Sequence, residues 1–391
     1  MKLRAIASLD LSGKRVFIRA DLNVPLDSSG AVADDTRIRA SLPTVKLALE
    51  KGASVILASH LGRPKGKVVS GLSLRPVAAR LAELLGRPVA LAPDCVGPAV
   101  EKQAAALKPG EVLLLENLRF HAGEEKNDPA FARGLAALAD VWINDAFGAA
   151  HRAHASTAGM AAHSAGRAAG LLLQKEVDAL SGLIAGAAKP YIAIIGGAKV
   201  SDKLAVLENL IRRTERILIG GAMAYTFLAA RGESTGKSLV EPARIEDARA
   251  LLARAGARIA LPADHVVAGE LKAGAPSRPA TAIGPADFGV DIGPETAKAY
   301  AGEIARARTI FWNGPMGVFE MPPWDRGTLA IARAVAAATD KGATSVVGGG
   351  DSVAAITAAG VADRISHVST GGGASLEFIE GRALPGIAAL E

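Results

Sequence analysis

The sequence predicts an α/β protein built from two doubly wound parallel-sheet domains, and three observations carry that expectation. Runs rich in Val, Ile and Leu alternate with longer amphipathic segments nearly throughout. The runs do not alternate strictly between polar and apolar residues, so they read as strands buried on both faces of a parallel sheet. The chain has 391 residues, too many for one ordinary core, so two domains of roughly 170 to 200 residues are expected.

In the first half, strands are expected at Arg15–Leu22, Ser54–Ser59, Val112–Asn117 and Val141–Asp145. Arg37, in Asp34-Asp35-Thr36-Arg37, opens a helix capped by Asp or Thr. The segment from Leu171 to Leu180 forms a helix with one apolar side and joins the halves, giving domains 1–170 and 171–391. Strands resume at Tyr191–Ile195, Arg216–Ile219, Thr309–Asn313 and Ser345–Val347. Among the helices, Glu295–Arg306 sets Ala297, Tyr300, Ala301 and Ile304 on one face.

Composition narrows the function. Hydrophobic residues make up 50% and charged residues 21%, which is globular rather than disordered. A lone cysteine, Cys95, cannot form an intramolecular disulfide and fits a reducing cytoplasm. In Pro93-Asp94-Cys95-Val96 it reads as structural. Charge interrupts the first ten residues before any signal-peptide core, and no apolar run reaches the length of a membrane span. The net charge of +6 comes without a basic tail and with little aromatic interleaving. Small phosphorylated ligands therefore explain it as well as nucleic acid does.

Open α/β sheets bind ligands beyond the carboxyl ends of their strands. In the first half those ends carry Asp21-Leu22-Asn23-Val24-Pro25, Ser59-His60-Leu61-Gly62-Arg63-Pro64, Glu116-Asn117-Leu118-Arg119-Phe120-His121 and Ala150-His151-Arg152-Ala153-His154. With Arg37, four arginines gather at one sheet edge, and the planar guanidinium fork suits carboxylate and phosphate oxygens. A small polyanion is expected, although Asp21 and Glu116 could instead neutralise part of this charge. His151 and His154 lack the carboxylate or cysteine that would complete a zinc pattern, so metal is disfavoured in this half.

In the second half, Tyr191–Ile195 runs into Gly196-Gly197-Ala198-Lys199-Val200-Ser201-Asp202-Lys203, a turn resembling a phosphate cradle. Lys199 and Lys203 are expected on one face near a helix start, where cations are disfavoured unless an anion is bound. Other strand ends carry Gly220-Gly221-Ala222, Asn313-Gly314-Pro315-Met316-Gly317-Val318-Phe319-Glu320 and Gly348-Gly349-Gly350-Asp351-Ser352. Asp351 suits Mg²⁺, which takes one or two carboxylates plus phosphate oxygens, and Asp351 or Ser352 could equally cap a helix. Near the C-terminus a β-prone run stops at Gly371-Gly372-Gly373 and a helix follows, pointing free N–H groups at an anion. Gly232-Glu233-Ser234-Thr235-Gly236-Lys237-Ser238 only imitates a P-loop: its glycine spacing is short and it follows a helical segment.

Together these stretches resemble the phosphoglycerate kinase family over essentially the whole chain. They include Arg19-Ala20-Asp21-Leu22-Asn23-Val24-Pro25-Leu26, Ala150-His151-Arg152-Ala153-His154, Phe311-Trp312-Asn313-Gly314-Pro315, Gly349-Gly350-Asp351-Ser352 and Gly371-Gly372-Gly373. The resemblance implies two Rossmann-like domains facing a cleft, joined by a helix and hinge, with the last residues, about 378–391, packing back on the first domain. It implies reversible transfer of the γ-phosphoryl of MgATP to the carboxylate of 3-phosphoglycerate by a cytoplasmic monomer, without nucleic-acid or membrane partners. Asp21, Asn23, Arg37, His60, Arg63, Arg119 and Arg152 would hold phosphoglycerate. Gly197, Lys203, Gly221, Gly289, Asn313, Pro315, Val318, Glu320, Gly349, Gly350, Asp351 and Ser352 would line the nucleotide site, with Asp351 on Mg²⁺. Arg37, Lys199 and the Gly371, Gly372, Gly373 turn would surround the transferring group. A non-catalytic anion-binding scaffold on the same fold is the alternative, but the chain retains Arg37, Lys199 and Asp351. The family pattern more often has Phe where Trp324 stands, which bears on the shape of the loop after Glu320.

Overall fold

A computed structural model describes residues 3–391. Its strands in the first half are β1 (Arg15–Arg19), β2 (Ser54–Ala58), β3 (Val89–Leu91), β4 (Val112–Leu114), β5 (Val141–Asn144) and β6 (Gly166–Ala169). The second half adds β7 (Tyr191–Ile195), β8 (Arg216–Ile219), β9 (Ile259–Ala260), β10 (His265–Ala268), β11 (Ser277–Ala280) and β12 (Phe288–Ile292). The last three are β13 (Thr309–Asn313), β14 (Thr344–Gly348) and β15 (His367–Val368). The described chain divides into two compact units: the residues up to Asp178 together with Ala383–Glu391, and Ala179–Arg382.

The first unit holds a six-stranded sheet in the order β3-β4-β2-β1-β5-β6, parallel throughout. Val16, Ile18, Val55, Leu57 and Ile143 bury against Ile38, Leu42 and Val45 of the helix Thr36–Glu50. The intervening Phe17, Ile56 and Trp142 are buried too, which is why these strands read as continuous apolar runs. Each such side chain contributes about 1.5–3 kcal/mol over leaving it exposed. β1 ends at Arg19 rather than at the expected Leu22, because the chain then folds on itself, with Val24 N donating to Leu22 O. The C-terminal segment belongs to this unit. Leu384, Ile387 and Leu390 are buried, Gly386 N donates to Ala150 O at 2.8 Å, and Gly386 O accepts from Asn144 Nδ2 at 3.0 Å.

The second unit holds another six-stranded parallel sheet, in the order β15-β14-β13-β7-β8-β9. Ile192, Ile194, Trp312 and Val347 pack against Ile331 and Val335 of the helix Arg326–Asp340. Beside it stands a three-stranded antiparallel sheet, β11-β10-β12, in addition to the two expected parallel sheets. β11 reads Ser-Arg-Pro-Ala with little burial, so it carries no apolar run, and its proline is tolerated at a sheet edge.

Each parallel sheet has a point where successive strands turn from adding on one side to adding on the other. It lies between β1 and β5 in the first sheet and between β7 and β13 in the second. Crevices form there at the carboxyl ends. Among the described residues no helix is long and apolar enough to cross a membrane.

Candidate active site

In the first unit the strand-end residues converge around buried Arg19 and His60. Arg19, wholly out of water at the end of β1, donates from Nε to Ser156 Oγ at 2.8 Å and from Nη1 to Ala20 O. Its Nη2 lies 3.1 Å from His60 Nδ1. A guanidinium can only donate, so Nδ1 accepts and the imidazole hydrogen sits on Nε2. Burial, reinforced by Arg19 and Arg119, holds His60 well below the usual imidazole range, so the ring is a neutral donor. His154 is pushed down to about 4, first by burial and then by Arg119 and Arg19.

Gly62 ties two expected ligands together. Its N–H donates to Asn23 Oδ1 at 2.8 Å and its carbonyl accepts from Arg119 Nη1 at 3.0 Å. With φ of +62°, and with the Leu72 side chain 2.8 Å from where a Cβ would stand, the position favours glycine. Arg37 pairs with Asp21, so one of the two candidate neutralising acids does engage the cluster. Glu116 does not: its carboxylate accepts from Ser73 Oγ, Leu74 N and Asn117 N. Arg63 is exposed and makes no hydrogen bond or salt bridge among the described residues. Arg152, also exposed, donates to His151 Nε2 at 3.2 Å, and its charge reaches Arg119 and His154.

The second unit carries two cavities that share Gly197, Ala198 and Asp351. The larger, about 390 Å³, lies where β7 and β13 end and is lined by Lys203, Asn313 and Gly314, by Gly349 to Ser352, and by Gly372 and Gly373. The smaller, about 190 Å³, has Gly221, Tyr225, Gly289, Pro315, Val318 and Glu320 in its walls. The loops meet closely: a Cβ on Gly196 would stand 2.0 Å from Pro315 O. Lys203 Nζ donates to Asn313 Oδ1, and burial brings its pKa down to about 8 although Asp202 and Asp351 oppose the shift. Gly371, the first residue of the glycine turn, is buried, and its N–H donates to Ser369 Oγ at 3.2 Å.

Two local expectations change. The helix after β7 opens only at Leu204, so Lys199 and Lys203 both precede it and do not share a helical face. The intervening turn is held by Ser201, whose N and Oγ donate to the Glu241 carboxylate. Neither Asp351 nor Ser352 caps its helix. Gly349, at φ +91°, occupies the cap position, and Ser352 Oγ accepts from Gly314 N at 2.6 Å, locking the β13 and β14 loops together. Asp351 stays exposed in the wall common to both cavities. A hard carboxylate oxygen beside a phosphate-sized space is a donor that Mg²⁺ accepts.

The sequence profile described as phosphoglycerate kinase matches residues 6–382. A phosphoglycerate kinase of Solibacter usitatus is 60% identical over 395 aligned residues, covering 100% of both chains. The cytosolic phosphoglycerate kinase of Triticum aestivum is 54% identical and covers 99% of this chain and 97% of its own. The chain belongs to the phosphoglycerate kinase family. The solved phosphoglycerate kinase of Coxiella burnetii superimposes with a TM-score of 0.90 at 42% identity, over 100% of this chain and 99% of that one. That of Pyrococcus horikoshii gives 0.87 at 34% identity, over 100% and 98%.

For this family member, residue-by-residue reading passed over Arg19, Ser156 and Glu124 as a unit. Glu124 is buried, and its carboxylate accepts from Ser156 N and Oγ. Burial raises its pKa against the opposing charge of Arg19. One signal was present: an arginine closing the otherwise apolar run Val16-Phe17-Ile18 of a doubly buried strand. Glu124 itself carries no comparable mark.

Proposed function

We propose that the protein transfers the γ-phosphoryl of ATP reversibly to the carboxylate of 3-phosphoglycerate, giving 1,3-bisphosphoglycerate, with phosphoglycerate on the first unit and nucleotide on the second. The observation that carries this reading is the pair of adjoining cavities at the β7–β13 crevice, one lined by glycines and Lys203, the other largely apolar. A polyphosphate suits the first and a nucleoside the second. The cluster of Arg37, Arg63, Arg119 and Arg152 with neutral His60 suits a phosphorylated acid, which offers both a phosphate and a carboxylate to planar donors.

The acceptor carboxylate is already an anion, so no general base is needed. One of its oxygens forms the new bond to phosphorus as the bond to the bridging oxygen breaks and ADP leaves. The difficulty is to bring anions together while charge spreads over the phosphoryl oxygens, which makes positioning and electrostatic stabilisation the work of the site. Arg37, Lys199 and the Gly371, Gly372, Gly373 turn are the groups assigned to that charge, while Asn23 and Asp21 orient the substrate-side loops. Mg²⁺ bound with the nucleotide, held by Asp351 and phosphate oxygens, would offset the negative charge of the phosphates. The reading requires the two bound substrates to meet out of reach of water, which would otherwise hydrolyse ATP or the acyl phosphate. It also assigns the protein a cytoplasmic setting and action as a monomer on small molecules.

The test is phosphoryl transfer from MgATP to 3-phosphoglycerate with hydroxylamine present to trap the acyl phosphate as a hydroxamate. Product that depends on Mg²⁺ and both substrates supports the reading. A folded protein that binds both ligands and yields no hydroxamate would leave the anion-binding scaffold in its place.

A further inference from the structure

Strands β3 and β4 are neighbours at one edge of the first sheet, and their carboxyl ends deliver three different ligand types to one spot. Asp94 and Cys95 follow β3, and His121 follows the turn after β4. One carboxylate oxygen, the thiol sulfur and one imidazole nitrogen all lie within 4.8 Å of one another. Asp94 Oδ1 is 2.5 Å from His121 Nε2. The Cys95 thiol donates to the carbonyl of Glu116 at 3.0 Å.

The surroundings separate this cluster from a chance contact. Cys95 is fully buried, whereas the His121 and Asp94 side chains keep 32% and 50% of their exposure, so the sulfur forms the floor of a site open on one side. The His121 ring stacks on Phe131, with centroids 5.0 Å apart and planes at 26°, which fixes where its nitrogens point. Glu116, whose backbone carbonyl meets the Cys95 thiol, has both carboxylate oxygens engaged by Ser73, Leu74 and Asn117. That leaves three protein donors and one open direction.

We propose that Asp94, Cys95 and His121 form a site for a divalent transition metal of the zinc type, with water in the fourth position. A sulfur, an imidazole nitrogen and a carboxylate oxygen are the donors that Zn²⁺ takes in four-coordinate sites, and a set that Mg²⁺ does not favour. On binding, the Cys95 thiol gives up its hydrogen bond to Glu116 O and its proton passes to solvent, while the His121 hydrogen that Nε2 donates to Asp94 is given up and the neutral ring carries its hydrogen on Nδ1. The thiolate and Nε2 then bond the metal with no change of oxidation state. Burial, with Asp94 and Glu124 nearby, pushes the metal-free thiol's pKa well up, so a bound dication is what would hold it ionised. The position has a consequence for the neighbouring anion cluster. His121 lies two residues beyond Arg119, so the metal would brace the turn that presents Arg119 against the loop after β3.

Cobalt reports on such a site directly. The full-length protein, stripped with chelator, is titrated with Co²⁺ while the absorption spectrum is recorded. One equivalent should produce a near-ultraviolet sulfur-to-cobalt charge-transfer band together with visible bands of four-coordinate Co²⁺, and Zn²⁺ should displace both. Cys95 is the only cysteine, so a thiolate band can come from nowhere else and should vanish in Cys95→Ser. His121→Gln should weaken binding by at least the roughly 10- to 100-fold that losing even an outer-shell partner costs. Asp351→Asn should leave the titration unchanged. If Cys95→Ser does not fold, as judged by circular dichroism, the wild-type band and the half-exposed His121→Gln and Asp94→Asn variants still decide the matter. Absence of the charge-transfer band at saturating Co²⁺, or a titration indifferent to His121→Gln, overturns the site.

Discussion

The Lys203 amine lies mostly out of water against Asn313, and that burial brings its pKa down to about 8. Phosphate oxygens arriving beside it would favour the charged form and restore the value toward that of an ordinary lysine. Above pH 8 the free protein holds this amine largely neutral, so nucleotide binding should take up a proton there and weaken as pH rises. Calorimetry at pH 8.5 in two buffers of different ionisation enthalpy should show that uptake, and Lys203→Met should abolish it. Lys199 has the opposite setting: exposed, without a hydrogen bond or salt bridge among the described residues. A cation left free in this way suits contact with charge that develops only during transfer. Lys199→Ala should therefore lower kcat by about 10²–10³-fold while the nucleotide Kd changes much less. A kcat near that of the wild type would remove it from the reacting centre.

Asp145 connects the end of β5 to the helix Leu171–Ala185. Its Oδ1 accepts from Leu172 N at 2.9 Å and Leu173 N at 3.1 Å, so it caps that helix from a distance of 27 residues in sequence. Gly170 lets it approach, since a Cβ there would stand 2.2 Å from Asp145 Oδ1. Complete burial raises its pKa to about 7 against the Thr44 hydroxyl and the two N–H bonds, which favour the anion. The sign of the pH effect follows from linkage. Between the ordinary carboxylate value near 4 and about 7, the unfolded chain gives up this proton and the folded chain keeps it. Stability from this group is thus fully present below pH 4 and lost as pH rises to 7. His154, depressed to about 4, acts the other way: its contribution is present above the ordinary imidazole value and is lost as pH falls toward 4. Denaturant midpoints at pH 5 and pH 7.5 should show stability changing more favourably with rising pH in Asp145→Asn than in the wild type. A pH slope unchanged by the substitution would mean that the carboxyl is ionised throughout.

The molecule has two separate six-stranded parallel sheets, each with its own switch point. If each substrate has its own unit, each should protect its own backbone. A ligand at 100 times its Kd stabilises the state that binds it by about 2.7 kcal/mol. Hydrogen exchange with MgATP should therefore slow chiefly residues 196–203 and 349–352, and with 3-phosphoglycerate chiefly 21–23 and 60–63. The reverse pattern would overturn the assignment of substrates to units.

Much of this architecture is written locally. β1, β2, β7 and β13 are legible because strands buried on both faces are apolar over most of their length, and a run such as Tyr191–Ile195 has few other uses in a globular fold. The glycine turns and arginines at strand ends are legible for a similar reason: close backbone approach and oxygen-anion recognition each demand a narrow choice of residue. The antiparallel sheet of β10, β11 and β12 is not legible, since its edge strand is polar, carries a proline and is stabilised by pairing rather than by burial. Nor are the contacts that tune the site. Arg19 meets Ser156 across 137 positions, Ser156 meets Glu124 across 32, and His121 meets Asp94 across 27. Sequence by itself determined the class of fold and the strand ends where glycines, arginines and lysines gather, because periodicity and residue chemistry act over a few neighbours. Only the tertiary structure decided which groups are neutral, which cations are spent on structural partners and which are left free. Burial and charge pairing depend on residues that the chain brings together from far apart.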